Sequence, residues 1–200
     1  MYGGHTYATY REHCGHDTPG VMRDGNVDFT HQDTSVDQAR IEAVLDTLAV
    51  AGAHLLHVGI GNSRLAQRFA SRAERIDGIT VSLNEKSHAE SLGLQHYTVY
   101  ILNKHSREFA GVIAHTYDFV IDNNLASFAC CKYHFHVMVE SYLRLLKGHG
   151  RILTEQRGMD WYHGEVGWPM TDADLVSLES RFPVRVSRVT ATVYALAARP

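Results

Sequence analysis

The sequence predicts an α/β fold in which helices cover both faces of one doubly wound, mostly parallel sheet. From residue 35 onward, short apolar or β-branched runs alternate with segments of helical periodicity, a pattern typical of right-handed crossovers between parallel strands. Two adjacent strand-like runs, 184–189 and 192–197, end the chain and predict an antiparallel hairpin at one sheet edge. With the five earlier runs they make seven strands.

Composition restricts the class of protein. The 200 residues are 44% hydrophobic, enough to bury the core of a single domain. No apolar run reaches eighteen residues and the start of the chain lacks the pattern of a secretory signal, so we expect a cytoplasmic protein without membrane spans. The three cysteines do not suggest a disulfide framework. The net charge of −3, without a Lys/Arg cluster, argues against nucleic acid as a partner.

The first half of the chain begins with an irregular arm over residues 1–34, which is rich in Gly, His, Asp and Tyr and has no periodicity. A folded domain is predicted over 35–200, and its first helix has capping side chains at 33–35. That helix carries an apolar stripe at helical spacing, consisting of Ile41, Val44, Leu45 and Leu48. Next come a strand at 54–58, a glycine turn with a helix, a strand at 79–83, a helix at 85–92 and a strand at 97–102.

The second half continues the alternation. A fourth strand is predicted at 118–122, followed by a long helix that Gly148 and Gly150 close, and then a fifth strand at 151–154. Thr171 and Asp174 have the spacing of a capping box for the last helix.

The glycine turn carries the most specific motif of the chain. A strand that ends in Gly-x-Gly and leads directly into a helix lets a ligand approach the backbone at the switch point of a doubly wound sheet. The run Leu55-Leu56-His57-Val58-Gly59-Ile60-Gly61-Asn62-Ser63 resembles the first motif of the class I S-adenosylmethionine-dependent methyltransferases. The order of elements over 35–200 is also similar. The resemblance implies a Rossmann-like fold, S-adenosylmethionine as cofactor and a methyltransferase activity.

The resemblance also implies where the cofactor binds. The stretch from Gly78 to Ser82 is similar to the cyclopropane-synthase branch of the superfamily, in which a threonine and a polar residue five positions later serve the ribose. Those residues correspond to Thr80 and Glu85, although Glu85 equally fits an exposed residue in the first turn of a helix. The full set of implied cofactor residues is His57, Gly59, Ile60, Gly61, Asn62, Ser63, Thr80, Val81, Ser82, Glu85, Asn103 and Asp122. Two of them depart from the family pattern. The family usually has an acidic residue at the position of His57 and often a glycine at the position of Ser63.

The candidate residues near the reacting methyl group come after the fourth strand. By resemblance its tip, Asp122-Asn123-Asn124, faces the methyl group, and an acceptor-facing histidine is expected early in the next helix, at His134. Tyr7 and Tyr10 of the arm are candidates for a lid over the sulfonium, through cation–π attraction. The loop around Trp161 after the fifth strand is a candidate acceptor wall or a contact with a second subunit.

Three functions remain open at this point. The preferred hypothesis is a methyltransferase that acts on a small molecule. The second is an enzyme that uses S-adenosylmethionine itself as substrate, by cyclisation or elimination of the aminobutyl chain. The third is a non-catalytic partner protein that binds the cofactor or a metal. The histidines and cysteines do not follow a familiar zinc spacing, so no metal site is predicted. A homodimer is compatible with the sequence.

Overall fold

The computed structural model describes residues 28–106, 109–127, 129, 131–161 and 168–199. This part of the chain contains seven strands: β1 (His54–Val58), β2 (Arg75–Thr80), β3 (Tyr97–Ile101), β4 (Tyr117–Ile121), β5 (Leu146–Glu155), β6 (Val184–Arg188) and β7 (Val193–Ala198). Its helices are α1 (Val36–Thr47), α2 (Arg64–Phe69), α3 (Leu83–Ser91), α4 (Phe109–Val112), α5 (Lys132–Leu145), α6 (Gln156–Asp160) and α7 (Asp172–Arg181). No described helix is both long enough and apolar enough to cross a membrane.

The seven strands form one sheet in the order β3-β2-β1-β4-β5-β7-β6. Strands β1 to β5 run parallel to one another, whereas β7 lies between β5 and β6 and is antiparallel to both. The prediction of a doubly wound sheet with an antiparallel last strand is therefore confirmed. Because the strand order reverses between β1 and β4, the carboxyl ends of these two strands border the crevice in which such sheets bind ligands.

Helices cover both faces of the sheet, as predicted. Successive side chains of a strand point to opposite faces, so Leu55 packs with α1 and α2, while Leu56 packs with α4, α5 and α7. Ser35 caps α1 by accepting a hydrogen bond from the backbone N–H of Gln38, and the predicted capping box of Thr171 and Asp174 is present at α7. These side chains satisfy backbone N–H groups in the first turns of the two helices.

Two strands, β2 and β5, differ from their predicted bounds by more than one residue. Strand β2 begins at Arg75 rather than at residue 79. The prediction missed its first half because the polar residue Asp77 interrupts the apolar run there. Asp77 is nevertheless fully buried, and its carboxylate accepts hydrogen bonds from Arg75 at 2.7 Å and from the Tyr117 hydroxyl at 2.6 Å. Strand β5 begins at residue 146 rather than 151, and its glycines lie within it. A side chain at Gly150 would come within 2.6 Å of the Tyr117 carbonyl oxygen.

The position of Asn123, just after β4, depends on a glycine that is distant in sequence. A Cβ atom added to Gly158 in α6 would lie 2.0 Å from Asn123 Oδ1, so only glycine leaves room for this carboxamide. The Asn123 backbone is held as well, because Thr154 Oγ1 donates to its carbonyl oxygen at 3.1 Å. The end of β4 therefore packs against the helix that follows β5.

The Gly158→Ala substitution tests this packing. Alanine normally stabilises a helix by up to about 1 kcal/mol relative to glycine, yet here we expect a loss of about 2 kcal/mol in the free energy of unfolding, because the methyl group displaces Asn123. Urea denaturation measures the change. The control is Gly111→Ala in α4, where an added Cβ atom meets nothing within 4 Å. Equal stability of the two variants would contradict the proposed packing.

His57 is a buried polar residue in the central strand β1, on the face covered by α1 and α2. Its register neighbours are Gly78 and Ile121, and its Nδ1 atom has no hydrogen-bond partner among the described residues. Burial lowers the pKa of His57 to about 4, since a charged imidazole is costly in a low-dielectric environment. His57 is therefore neutral at pH 7.

The lowered pKa makes stability depend on pH. Between pH 6.5 and 4 the unfolded chain protonates His57 and the folded chain does not, so we expect the free energy of unfolding to fall by about 3 kcal/mol from this residue as the pH decreases through that window. The His57→Asn variant lacks this term, and urea denaturation at a series of pH values isolates it as the difference from the parent chain. The control is His96→Asn, at an exposed position with φ 61°, which asparagine tolerates. Identical pH profiles for the parent and His57→Asn would refute the expectation.

Candidate cofactor and reaction site

A cavity of about 660 Å³ lies at the carboxyl ends of β1, β2 and β4. It brings together most of the predicted site residues: His57, Gly59, Ile60, Gly61, Asn62, Thr80, Val81, Ser82, Glu85, Asn103, Asp122 and Asn123. The side chain of Ser63 is not part of its lining. Ser63 is fully buried, and its hydroxyl lies 3.1 Å from that of Tyr97.

The glycine loop forms one side of the cavity. Gly59 and Gly61 have φ angles of 77° and 49°, in the left-handed region where a side chain is strained. An added Cβ atom at Gly59 would meet nothing within 4 Å, so the backbone there is open to a ligand. At Gly78 an added Cβ atom would come within 2.8 Å of Ile60, and glycine at this position therefore lets the loop lie close to β2.

Thr80 and Glu85 meet at the end of β2. Thr80 Oγ1 donates a hydrogen bond to Glu85 Oε2 at 2.5 Å, and the backbone N–H of Phe29 donates to Oε1 at 3.1 Å. Glu85 is buried rather than exposed in the first turn of α3. Burial raises the pKa of its carboxyl, although the hydrogen bonds from Thr80 and Phe29 oppose the rise. Helix α3 thus brings a carboxylate to the end of β2.

The carboxylate of Asp122, at the end of β4, is already occupied by protein groups. Lys104 Nζ donates to its two oxygens at 3.1 and 2.9 Å and to the carbonyl oxygen of Asn124 at 2.7 Å. The Tyr142 hydroxyl donates to Asp122 Oδ2 at 2.7 Å. Burial and the nearby Asp122 carboxylate raise the pKa of Tyr142, so this phenol remains a donor. The sequence reasoning missed Lys104 and Tyr142, because neither belongs to a motif.

Helix α1 contributes two further contacts that sequence reasoning did not find. The Asn123 carboxamide donates to Asp37 Oδ2, which connects the first turn of α1 to the end of β4. Arg40 forms a 2.7 Å ion pair with buried Glu155 at the end of β5. Burial opposes ionisation of Glu155, but hydrogen bonds from Thr192, Arg40 and backbone N–H groups lower its pKa overall. Asp37 lines the cavity, as do Arg157 and Trp161.

The predicted acceptor-facing histidine does not reach the cavity. His134 is buried, its Nδ1 lies 3.3 Å from the Cys131 sulfur, and its ring contacts that of Tyr133. It therefore packs within the first turn of α5. Tyr7 and Tyr10 lie outside the described residues. Among the described residues no group of three or more His, Cys, Asp or Glu side chains is arranged to hold a metal ion.

The described end of the predicted arm, residues 28–34, lies against the cavity. Asn62 Nδ2 in the glycine loop donates to the Gln32 carbonyl oxygen at 2.8 Å and contacts Thr34 Oγ1 at 3.3 Å. The Phe29 ring meets the Trp161 ring edge to face, with centroids 6.4 Å apart. This segment therefore crosses from the glycine loop to the loop that follows α6.

Comparisons with known proteins agree with this geometry. No protein-family model matches the sequence, and no curated protein matches it. Several solved structures do match. N-methyltransferase NodS from Bradyrhizobium japonicum WM9 has a TM-score of 0.63 at 12% identity, over 82% of this chain and 97% of its own. DhpI, solved as its SAH complex, has a TM-score of 0.61 at 14% identity, over 81% and 85%.

A third similar structure is an rRNA methylase from Streptococcus thermophilus, with a TM-score of 0.52 at 9% identity, over 80% of this chain and 95% of its own. The names of these structures include both an N-methyltransferase and an rRNA methylase, so the likeness concerns the shared architecture. The sheet order and the antiparallel last strand agree with that architecture. This protein has the Rossmann-like fold of the class I S-adenosylmethionine-dependent methyltransferases.

Proposed function

We propose that this protein is an S-adenosylmethionine-dependent methyltransferase that acts on a small molecule. The observation that carries the proposal is the cavity in which an open glycine loop faces a buried threonine–carboxylate pair at the end of β2. Backbone N–H groups and a carboxylate are the groups that bind a nucleoside at the switch point of such sheets. Two of the similar structures, NodS and DhpI, were solved with SAH bound.

The described residues suit the parts of this cofactor. The glycine loop, from Gly59 to Asn62, offers open backbone to the nucleoside side, and Glu85 offers carboxylate oxygens to the ribose hydroxyls. Asp122 and Asn123 lie near the methionine end and the reacting methyl group. When bound, the cofactor supplies a methyl group activated by a sulfonium. The protein's own contribution is mainly to position the acceptor in line with that group.

A small acceptor suits the size and charge of the site. The cofactor and acceptor must share about 660 Å³, which is within the range of small-molecule sites. The described lining residues include five carboxylates and two permanent cations, Lys104 and Arg157. The carboxylates are those of Asp33, Asp37, Glu42, Glu85 and Asp122. A negatively charged wall opposes a polyanionic nucleic acid.

Glu85→Gln tests the assignment of the cofactor site. We expect the affinity for S-adenosylhomocysteine and for 5′-methylthioadenosine to fall by roughly 10- to 100-fold, because a neutral amide replaces charge-assisted hydrogen bonds to the ribose. Isothermal titration calorimetry measures both ligands, which share the ribose and differ in the aminobutyrate chain. Glu90→Gln, at an exposed position of the same helix, is the matched control and should bind both as the parent does. Undiminished binding by Glu85→Gln, or no binding by the parent, would reject the assignment.

Incubation of the parent protein with S-adenosylmethionine alone separates methyl transfer from the intramolecular alternative. We expect intact cofactor after incubation, since no acceptor is present, and S-adenosylhomocysteine only when a suitable acceptor is added. Mass spectrometry identifies the products. Enzyme-dependent formation of methylthioadenosine without an acceptor would instead establish cyclisation or elimination of the aminobutyl chain.

A further inference from the structure

We propose that the methyl acceptor is an amine and that Asp37 binds its amino group. This inference rests on the proposed function, since it concerns the second substrate of the same site. Asp37 lies in the first turn of α1 and lines the cavity. Its Oδ2 accepts a hydrogen bond from Asn123 at the end of β4, so this carboxylate is held beside the proposed position of the reacting methyl group.

The other carboxylates of the cavity already have structural partners or lie elsewhere. Both oxygens of Asp122 are bonded to Lys104, and Tyr142 adds a third hydrogen bond. Glu85 belongs to the ribose end of the cavity. Glu42 is buried and forms a 3.1 Å ion pair with Arg68.

Two carboxylates remain, and they differ in how they are held. Asp33 is exposed on the segment over the glycine loop. Asp37 is half-buried, and Asn123 holds one of its oxygens, while its Oδ1 has no hydrogen-bond partner among the described residues. Asp37 is therefore the carboxylate that is both oriented at the end of β4 and able to accept another hydrogen bond.

Asn123 serves to orient Asp37. Asn123 is buried, and its Oδ1 faces Gly158, where an added Cβ atom would lie 2.0 Å from it. Its amide nitrogen donates to Asp37 Oδ2. The Asp37 carboxylate, fixed at one oxygen, thus offers its other oxygen as a charged acceptor, which suits an amino group better than a carboxylate or phosphate.

The remaining walls favour a cationic or amine-bearing molecule. Phe29 and Trp161, whose rings meet edge to face, both line this cavity, and aromatic rings attract cations. His57 is neutral at pH 7 and adds no positive charge. Arg157 is the exposed cation of this wall. It suits a carboxylate, whether on the methionine end of the cofactor or on the acceptor.

The reaction at this site balances without a further reactant. The amine arrives as an ammonium ion attracted by Asp37 and loses a proton to water, and a remaining N–H donates to the Asp37 carboxylate. The nitrogen lone pair then forms a bond to the methyl carbon, the carbon–sulfur bond breaks, and its electron pair stays on sulfur as a thioether. The single positive charge moves from sulfur to the methylated nitrogen, which leaves it paired with Asp37.

The test compares matched acceptor analogues on protein saturated with S-adenosylhomocysteine. Butyl, benzyl and phenethyl compounds are each titrated as the amine, the alcohol and the carboxylic acid, by calorimetry. For at least one scaffold we expect the amine to bind at least about tenfold more tightly than the other two, because it makes a charge-assisted hydrogen bond. Asp37→Asn should remove that preference, whereas Asp160→Asn, an exposed carboxylate outside the cavity lining, should retain it.

Three results would overturn the proposal. The first is the absence of an amine preference in all three scaffolds, and the second is a preference that survives Asp37→Asn. The third is a loss of affinity for S-adenosylhomocysteine in Asp37→Asn with unchanged affinity for 5′-methylthioadenosine, which would assign Asp37 to the amino group of the cofactor. If the parent protein binds neither nucleoside, the proposed function itself fails, so the two failures are distinguishable.

Discussion

The buried carboxylate of Asp122 is the constraint on which the rest of the site depends. A carboxylate in a low-dielectric environment is costly unless it is paired and hydrogen-bonded, and Lys104 and Tyr142 supply both requirements. Lys104 comes from the loop after β3, and Tyr142 comes from α5. One charged group therefore connects two strand ends and a helix beneath them. Removal of one partner would leave an uncompensated charge, at a cost of roughly 3–5 kcal/mol.

This pairing also fixes the end of β4. Lys104 and Tyr142 hold the Asp122 carboxylate in place at the cavity, where the sequence made it a candidate for catalysis. The next residue, Asn123, extends the same end of β4 toward α1 and bonds to Asp37. Gly158 leaves the space that this carboxamide needs. A hydrogen bond thus connects Asn123 at the end of β4 to Asp37, a carboxylate that lines the cavity.

The sequence was informative wherever structure depends on local pattern. Apolar periodicity predicted the helix stripe at Ile41 and Leu45, and the Gly-x-Gly spacing predicted an open loop at Gly59. Prediction failed at the start of β2, because Arg75 and the buried Asp77 are polar residues that pair with each other in the fold and give no apolar signal. The charged groups that complete the site, Lys104 and Asp37, were also missed. Each acts through a partner 18 or 86 residues away, and a single sequence carries no trace of such a pairing.

The sequence alone allowed two roles for Glu85, a ribose-binding carboxylate or an exposed residue in the first turn of a helix. A glutamate in the first turn of a helix is favourable in solvent, so the sequence alone left its role open. The structure buries it and gives it hydrogen bonds from Thr80 and Phe29. The raised pKa shows that the surroundings resist its charge. Under the proposed assignment, ribose hydroxyl groups that donate to Glu85 would stabilise its charged form and so contribute to the affinity for the cofactor.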